Sequence, residues 1–188
     1  MPQGSHLGPL LFLLFINDIV SLFKYSKCLL FADDLKLFMP IKNVLDCSNL
    51  QRDLDLLASW CHCNYFELNI NKCKIMSFRR TKVPVLFQYC IDGLPIDRVI
   101  EFRDLGILYD EQINFGRHID AIASKAYSML GFLTRVCKDF KDPQTLISIY
   151  SAHVRSQLEY GSVIWYPNHQ VHIDRIESIQ KKFLQYVF

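Results

Sequence analysis

Two adjacent carboxylates are the residues whose types and spacing point most directly to chemistry. Asp33 and Asp34 stand between two apolar runs, 28–31 and 35–39, which read as short strands. Like charges held side by side repel each other, and removal from water increases that penalty. A divalent cation offsets both effects, because hard oxygen ligands suit Mg²⁺. On the dipeptide alone, a solvated turn between two strands is the favoured interpretation, and only the rest of the sequence reverses this preference.

A cluster of basic residues lies further along the chain. It falls within eleven positions and consists of Lys72, Lys74, Arg79, Arg80 and Lys82. Such a run suits a phosphate-facing surface, and a solvated strand edge accounts for it nearly as well. The formal net charge of +2 is too small to indicate nucleic-acid binding by itself.

The seven cysteines form no recognisable disulfide framework, since their number is odd and several lie in apolar runs. This usage predicts buried thiols in a reducing compartment. Cys61, His62 and Cys63, with Cys73 downstream, raise the question of a zinc site. Their spacing matches none of the usual zinc patterns, so the sequence disfavours that assignment.

The composition is that of a globular protein, with 51% apolar and 13% aromatic residues in 188 positions. This length suits one domain with a sizeable core or two small ones. The strongest apolar run, 10–16, is shorter than the roughly 20 residues that cross a bilayer. It is followed by Asn17 and Asp18 and has no basic segment before it. We therefore expect a buried helix and no membrane partner.

Periodicity predicts the elements that must position the two carboxylates. Pro9 fits the first turn of a helix that continues to about Leu22, after a loop over 1–8. Residues 27–39 predict two short strands joined by the Ala-Asp-Asp turn. A second helix is expected over 46–64, with Leu50, Leu54, Leu57 and Cys61 on its apolar face. Asp53 falls on another face of that helix.

Further strands are predicted before residue 110, and helices after it. The predicted strands are 73–78, a hairpin of 87–91 and 94–100 around Asp92-Gly93, and a single strand 102–109 interrupted by Gly106. The predicted helices are 118–137, 143–161 and one around 173–184. The fold class is thus α+β, with an α+β portion over 1–110, a helical portion over 111–188 and a joint near 110–117.

Several motifs in this order resemble those of the reverse transcriptases of non-LTR (LINE-type, jockey-like) retrotransposons. Segments 2–5, 8–12 and 15–18 look like the loop and helix of motif B, and 31–34 like the F-A-D-D of motif C. Residues around 68–78 are similar to motif D, and 102–110 to motif E, the primer grip. Segments 118–135 and 158–165 look like parts of the thumb.

The resemblance implies a partial polymerase palm, an antiparallel sheet with helices on one face, followed by an α-helical thumb. In such a site two Mg²⁺ (or Mn²⁺) ions serve nucleotidyl transfer. Asp33 would bind metal most directly, with Asp34 as helper, and Lys72 would act near the triphosphate. The remaining implied contacts are Gln3, Gly4 and Phe31 with template and nucleotide, and Leu105 and Gly106 with the primer.

Each of these positions also has a simpler interpretation. Lys72 could be an ordinary solvated lysine, Phe31 a core residue, and Leu105-Gly106 a plain β-bulge. For Trp165 a place in the core is favoured over stacking on a base. Only the ordered series of motifs, and no single match, favours the polymerase interpretation.

The family's motif A, which carries a third metal-binding aspartate, and its fingers have no counterpart in this sequence. The partners implied for the parent enzyme are an RNA template, a DNA primer, deoxynucleoside triphosphates and a missing N-terminal polymerase portion. We expect weak metal binding, an unpaired edge beside the Ala-Asp-Asp hairpin, and no activity of this chain alone. The alternatives are a non-catalytic nucleic-acid-binding or interaction module, and an unrelated metal-binding α+β protein. A functional product would be intracellular, in the nucleus or in a ribonucleoprotein.

Overall fold

The computed structural model describes residues 5–79 and 85–188. About half of this part of the chain is helical, and its strands form four sheets of two strands each. The predicted α+β class is confirmed at this level. The chain divides into two compact units, the first formed by 5–77 and 85–99, the second by 78–79 and 100–188. Over the described ranges, none of the helices has the length and apolar character needed to cross a bilayer.

The first unit begins with the predicted helix and hairpin. Helix α1 (Gly8–Ile16) continues into a 3-10 helix (Asn17–Leu22). Strands β1 (Lys27–Phe31) and β2 (Asp34–Phe38) pair antiparallel, and helix α2 (Val44–Cys63) follows. These elements match the sequence-based expectation to within a few residues at each end.

Four two-residue strands complete this unit. They are β3 (Lys74–Ile75), β4 (Cys90–Ile91), β5 (Leu94–Pro95) and β6 (Asp97–Arg98). The β4–β5 hairpin turns through Asp92 and Gly93, both at positive φ, as predicted. Strand β6 instead pairs in parallel with β3. The predicted strand 94–100 is therefore divided between two sheets, and the predicted strand 73–78 is shortened to two paired residues.

Helix α2 is the central element of the first unit. Its start is fixed by a capping box, in which Asn43 accepts a 2.9 Å hydrogen bond from the Asp46 amide and Asp46 accepts one from Asn43. One side of the helix packs on α1 and the hairpin through Leu57, Trp60 and Cys61. Another side packs on Tyr89, Ile91 and Ile96 through Cys47 and Ala58.

The expectation that 10–16 forms a buried helix is wrong. Of the residues of α1 only Ile16 is buried, and five apolar residues of this region are about half exposed or more: Leu7, Leu10, Leu11, Leu13 and Leu14. The reason is that the hairpin and α2 cover only one side of α1. Among the strands that the structure describes, β2 pairs only with β1. The expected unpaired edge beside the hairpin stays a prediction.

The second unit opens with a hairpin where the sequence predicts one strand. Strands β7 (Glu101–Asp104) and β8 (Ile107–Asp110) pair antiparallel. The turn between them consists of Leu105 and Gly106, with φ angles of 45° and 86°. The single interrupted strand and the β-bulge are both wrong, because two consecutive left-handed residues reverse the chain.

Helices form the rest of the second unit. They are α3 (Gly116–Val136), α4 (Pro143–Tyr150), a π-helical turn (Ser151–Arg155), α5 (Ser156–Glu159), α6 (Ser162–Trp165) and α7 (Gln170–Val187). Asp142 caps α4 by accepting a 2.9 Å hydrogen bond from the Thr145 amide, and Pro143 follows at the first helical position. The predicted helix 143–161 is thus realised as α4, the π-helical turn and α5 in succession.

The core of this unit lies between α3, α4, α5 and α7. Its buried members include Ala126, Leu130, Val154 and Ile179, and the rings of Tyr150 and Phe183 stack with centroids 4.0 Å apart. The boundary between the two compact units lies between residues 99 and 100, so the β7–β8 hairpin belongs to the helical unit. The functional boundary expected at 110/111 stays a prediction.

Candidate functional site

The two adjacent aspartates lie at the tip of the β1–β2 hairpin. Phe31 pairs with Asp34, so Ala32 and Asp33 form a two-residue turn and Asp34 is the first residue of β2. Ala32 has a φ of 51°, in the left-handed region that residues with a Cβ rarely adopt. Both carboxylates are exposed. The sequence therefore located this turn correctly.

Side chains of the hairpin point alternately to its two faces, and this alternation determines which residues face the core and which are exposed near the carboxylates. Leu30, Leu35 and Leu37 face the core formed with Ile16 and Leu57. The opposite face presents Leu29 and Phe31, and Phe31 is 63% exposed. The interpretation of Phe31 as a core residue is therefore wrong.

Asp53 is the buried charge that the sequence did not reveal. Its side chain is fully buried, although the sequence places it on a different face of α2 from the apolar residues. It accepts hydrogen bonds from the backbone amides of Lys24, Tyr25 and Ser26 at 3.1, 3.0 and 2.7 Å, and one from the Ser26 hydroxyl at 2.7 Å. Burial opposes its ionisation, but these hydrogen bonds outweigh burial and hold the pKa of Asp53 below its ordinary value. Asp53 thereby fixes the segment that leads into β1.

The two carboxylates at the hairpin tip are the kind of ligand that a divalent cation prefers, but two such ligands are too few to hold one firmly. Asp33 and Asp34 offer the hard oxygen atoms that Mg²⁺ and Mn²⁺ prefer. Among the described residues, no three His, Cys, Asp or Glu side chains are grouped so that they could hold a metal ion. The remaining nine positions, 1–4 and 80–84, contain none of these residue types. These two carboxylates alone are too few to fix a metal ion for a reaction step.

The basic run is largely neutralised where the structure describes it. Lys74 Nζ lies 2.7 Å from Asp97, and Arg79 forms a salt bridge of 2.6 Å with Glu111. Arg80 and Lys82 lie outside the described residues. Lys72 is exposed, and its backbone amide donates to the Asn69 carbonyl at 3.0 Å. An ordinary solvated lysine and a site lysine both agree with that position.

The other predicted contact residues lie in two places. Gln3 and Gly4 fall outside the described residues, so the expected approach of their loop to Asp33 and Asp34 stays a prediction. Leu105 and Gly106 form the exposed tip of the β7–β8 hairpin in the second unit. Trp165, in the same unit, is 2% exposed, which confirms the core interpretation.

The cysteines do not assemble around His62. All seven are free thiols, and Cys61 is buried while Cys63 is exposed. His62 Nε2 lies 3.0 Å from Asp92 Oδ1 instead. Burial raises the pKa of the Cys61 and Cys73 thiols, which disfavours the thiolate that a metal would need.

Comparison with known proteins gives one consistent family. The family model for "Reverse transcriptase (RNA-dependent DNA polymerase)" matches residues 1–133. A probable RNA-directed DNA polymerase from transposon X-element of Drosophila melanogaster is 28% identical over 97% of this chain and 21% of its own length. The corresponding protein from transposon BS of the same species is 28% identical over 98% of the chain and 22% of its own length.

A third relative is the RNA-directed DNA polymerase from mobile element jockey of Drosophila funebris, 24% identical over 98% of this chain. The chain thus spans about a fifth of the length of the curated relatives it matches. No solved structure matches it. The chain belongs to the reverse transcriptase family, in the group from non-LTR retrotransposons.

Proposed function

We propose that this chain supplies part of the catalytic palm and the thumb of an RNA-directed DNA polymerase. In this proposal residues 1–110 are the partial palm and 111–188 the thumb. The observation that carries it is the placement of Asp33 in a tight turn and Asp34 at the start of the next strand, within a region matched by the reverse transcriptase family model. The motif that identifies the family thus occupies an exposed hairpin tip, where a substrate has access.

Asp33 and Asp34 are the metal-binding residues of this proposal, with Asp33 the more direct ligand. A bound Mg²⁺ or Mn²⁺ would neutralise the two carboxylates and provide the positive charge that phosphoryl transfer requires. Lys72 adds a positive charge near the triphosphate, and Phe31 offers an exposed apolar surface on the same hairpin. Gln3 and Gly4 contact template and nucleotide, while Leu105 and Gly106 contact the primer.

The 188 residues by themselves are not a working polymerase in this proposal. Two carboxylates hold a divalent ion weakly, because such ions take about six oxygen ligands and need several of them fixed. No third carboxylate joins Asp33 and Asp34 among the described residues, and the nine others have none to offer. A third ligand must come from polymerase sequence outside this chain.

The exposed side of α1 supports a contact with such additional sequence. Its leucines form a continuous apolar surface on a helix that is otherwise packed, and surfaces of this kind usually mark contacts with protein. Because the chain spans about a fifth of its relatives, further polymerase sequence is the partner we propose. RNA template, DNA primer and deoxynucleoside triphosphates are the other partners.

RNA-templated primer extension with Mg²⁺ or Mn²⁺ tests this proposal. We expect the chain to bind an RNA–DNA primer–template at low salt and to add no nucleotides. Robust DNA synthesis would show that the chain needs no third carboxylate from elsewhere. Absence of any binding at low salt would contradict the polymerase assignment.

A second candidate function, a non-catalytic nucleic-acid-binding module, is favoured by the exposed face of α3. Its exposed residues include Arg117, Ala121, Ser124, Lys125, Ser128, Phe132 and Arg135. Two acidic residues lie beside it, Glu101 paired with Arg117 and Asp120 paired with Arg175, so Lys125 and Arg135 carry the argument. Small residues between positive charges allow a close approach to a phosphate backbone. Binding should weaken with salt, and Lys125→Ala or Arg135→Ala should each lower the slope of log K against log salt by about 1. Equal slopes in both variants and the parent chain would remove this candidate.

A further inference from the structure

The tip of the β7–β8 hairpin is held by a tyrosine from the end of α5. The hydroxyl of Tyr160 donates a 2.8 Å hydrogen bond to the carbonyl oxygen of Leu105. The ring of the same tyrosine lies against Gly106, where an added Cβ would come within 3.2 Å of its Cε1 atom. One side chain therefore contacts both residues of the turn.

The backbone of Tyr160 is fixed as well. Its carbonyl oxygen accepts a 2.9 Å hydrogen bond from the indole Nε1 of Trp165, which is buried. The next residue, Gly161, has a φ of 66°, and an added Cβ would lie 2.7 Å from Cδ1 of Ile107 in β8. Only glycine allows this segment to approach the strand so closely.

A second connection holds β8 at the same place. The imidazole Nδ1 of His118, in α3, accepts a 3.3 Å hydrogen bond from the backbone amide of Leu108. The rings of His118 and Trp165 meet edge to face, with centroids 5.5 Å apart. The hairpin tip is thus bonded through the side chain of Tyr160 and its second strand through that of His118, and the indole of Trp165 contacts the Tyr160 backbone and the His118 ring.

These contacts matter because the turn they hold is a strained one. Leu105 adopts a φ of 45° although it carries a Cβ, and left-handed non-glycine residues persist only where their surroundings enforce them. A turn that is fixed before binding loses little conformational freedom when a ligand arrives. Although Tyr160 is 58% exposed, its hydroxyl is hydrogen-bonded to the backbone of this turn.

We propose that Tyr160 is a positioning residue that sets the Leu105–Gly106 turn for contact with the 3′ end of a DNA primer. The inference rests on the proposed function, in which this turn is the primer grip. It adds that the geometry of the grip depends on the Tyr160 hydroxyl, and through Trp165 and His118 on the helices that follow. The ligand chemistry is a sugar-phosphate terminus paired to an RNA template.

The test compares Tyr160→Phe and Tyr160→Ala with Tyr166→Phe as the matched control. Tyr166 is exposed and its hydroxyl has no hydrogen-bond partner among the described residues. Two properties are measured on the 188-residue chain. The first is amide hydrogen exchange at residues 105–107 without nucleic acid. The second is the affinity for an RNA–DNA hybrid with a recessed DNA 3′ end relative to a blunt hybrid.

We expect the parent chain and Tyr166→Phe to prefer the recessed end. Tyr160→Phe should exchange faster at 105–107, with the exchange of α3 and α7 unchanged. It should lose about 3- to 10-fold of the preference for the recessed end, the effect of one hydrogen bond, while its affinity for the blunt hybrid stays the same. Tyr160→Ala should lose at least as much.

Each other result has a distinct meaning. Faster exchange with an unchanged preference for the recessed end makes Tyr160 merely structural and overturns the inference. Unchanged exchange in both Tyr160 variants overturns it too, because the turn then does not depend on this residue. A parent chain with no preference for the recessed end overturns the primer-grip assignment itself, and the inference with it.

Discussion

The backbone amide of Ser26 donates a 2.7 Å hydrogen bond to Oδ2 of Asp53, 27 residues further along the chain. Ser26 directly precedes Lys27, the first residue of β1, and Asp33 and Asp34 lie at the tip of the hairpin that begins there. A buried carboxylate on α2 therefore fixes the root of the hairpin whose tip carries the candidate metal ligands. This dependence can be tested apart from any activity.

Asp53→Asn should destabilise the first unit by about 2–3 kcal/mol. The substitution removes the charge, and its NH₂ group leaves buried N–H donors without acceptors. Urea unfolding measures the effect. Asp55→Asn, an exposed change on the same helix, serves as the control and should stay within about 0.5 kcal/mol of the parent chain. Equal effects of the two substitutions would contradict the role given to Asp53.

The stability supplied by Asp53 should also disappear in acid. Its pKa in the folded chain is lowered, so the unfolded state binds more protons between the unfolded value of about 4 and the folded value. The contribution is thus fully present above about pH 4 and is lost as pH falls through the folded pKa. Asp53→Asn should lack this part of the acid dependence, whereas Asp55→Asn should keep it.

Ala32→Gly should stabilise the chain, although glycine usually does the opposite. The left-handed φ of Ala32 costs about 1–2 kcal/mol for a residue with a Cβ, which exceeds the entropic cost of glycine. We expect a gain of about 0.5–1 kcal/mol in the free energy of unfolding. The same substitution at Ala121, on the exposed face of α3, should lose about 1 kcal/mol. If both Ala32→Gly and Ala121→Gly lower the free energy of unfolding, the turn at Ala32 is not strained.

Gly161→Ala should be more harmful than Gly93→Ala. Both glycines have positive φ, at 66° and 74°, so both substitutions carry the left-handed cost of about 1–2 kcal/mol. Only at Gly161 would the new Cβ also collide with Ile107, whereas at Gly93 no atom lies within 4 Å. Thermal unfolding should therefore show about 1 kcal/mol more destabilisation for Gly161→Ala. Similar losses would show that the segment can move away from β8.

His118 should make the second unit sensitive to mild acid. Burial lowers the pKa of His118, and the charge of Arg103 lowers it further. The unfolded state therefore binds more protons below the unfolded pKa of about 6.5, and stability should fall as pH drops from there through the folded pKa. Protonation of Nδ1 also removes the acceptor for the Leu108 amide. If His118→Gln keeps this pH dependence of stability, His118 is not its source.

Local signals in the sequence were sufficient for the elements around the carboxylates. The alternation in 27–39 and the apolar spacing in 46–64 predicted β1, β2 and α2 because each pattern is carried by neighbouring residues. Asp92-Gly93 predicted its hairpin because both residue types tolerate positive φ.

Features that depend on distant partners could not be predicted in this way. Asp53 is buried because three amides nearly 30 residues earlier surround it, and its own neighbours give no sign of them. Leu105 is an unusual turn residue, and the bond from Tyr160 that holds it spans 55 positions. The exposure of α1 likewise depends on what packs against it, a property that its own sequence does not contain.

The proposed function requires that Asp33 and Asp34 are metal ligands, and Mn²⁺-induced broadening of backbone amide NMR signals measures metal binding at these residues themselves. We predict weak binding that selectively broadens the amides of Ala32, Asp33 and Asp34, and loss of this selectivity in Asp33→Asn. Equal broadening near all exposed carboxylates, or unchanged broadening at the turn in Asp33→Asn, would show that these two aspartates are not the metal ligands.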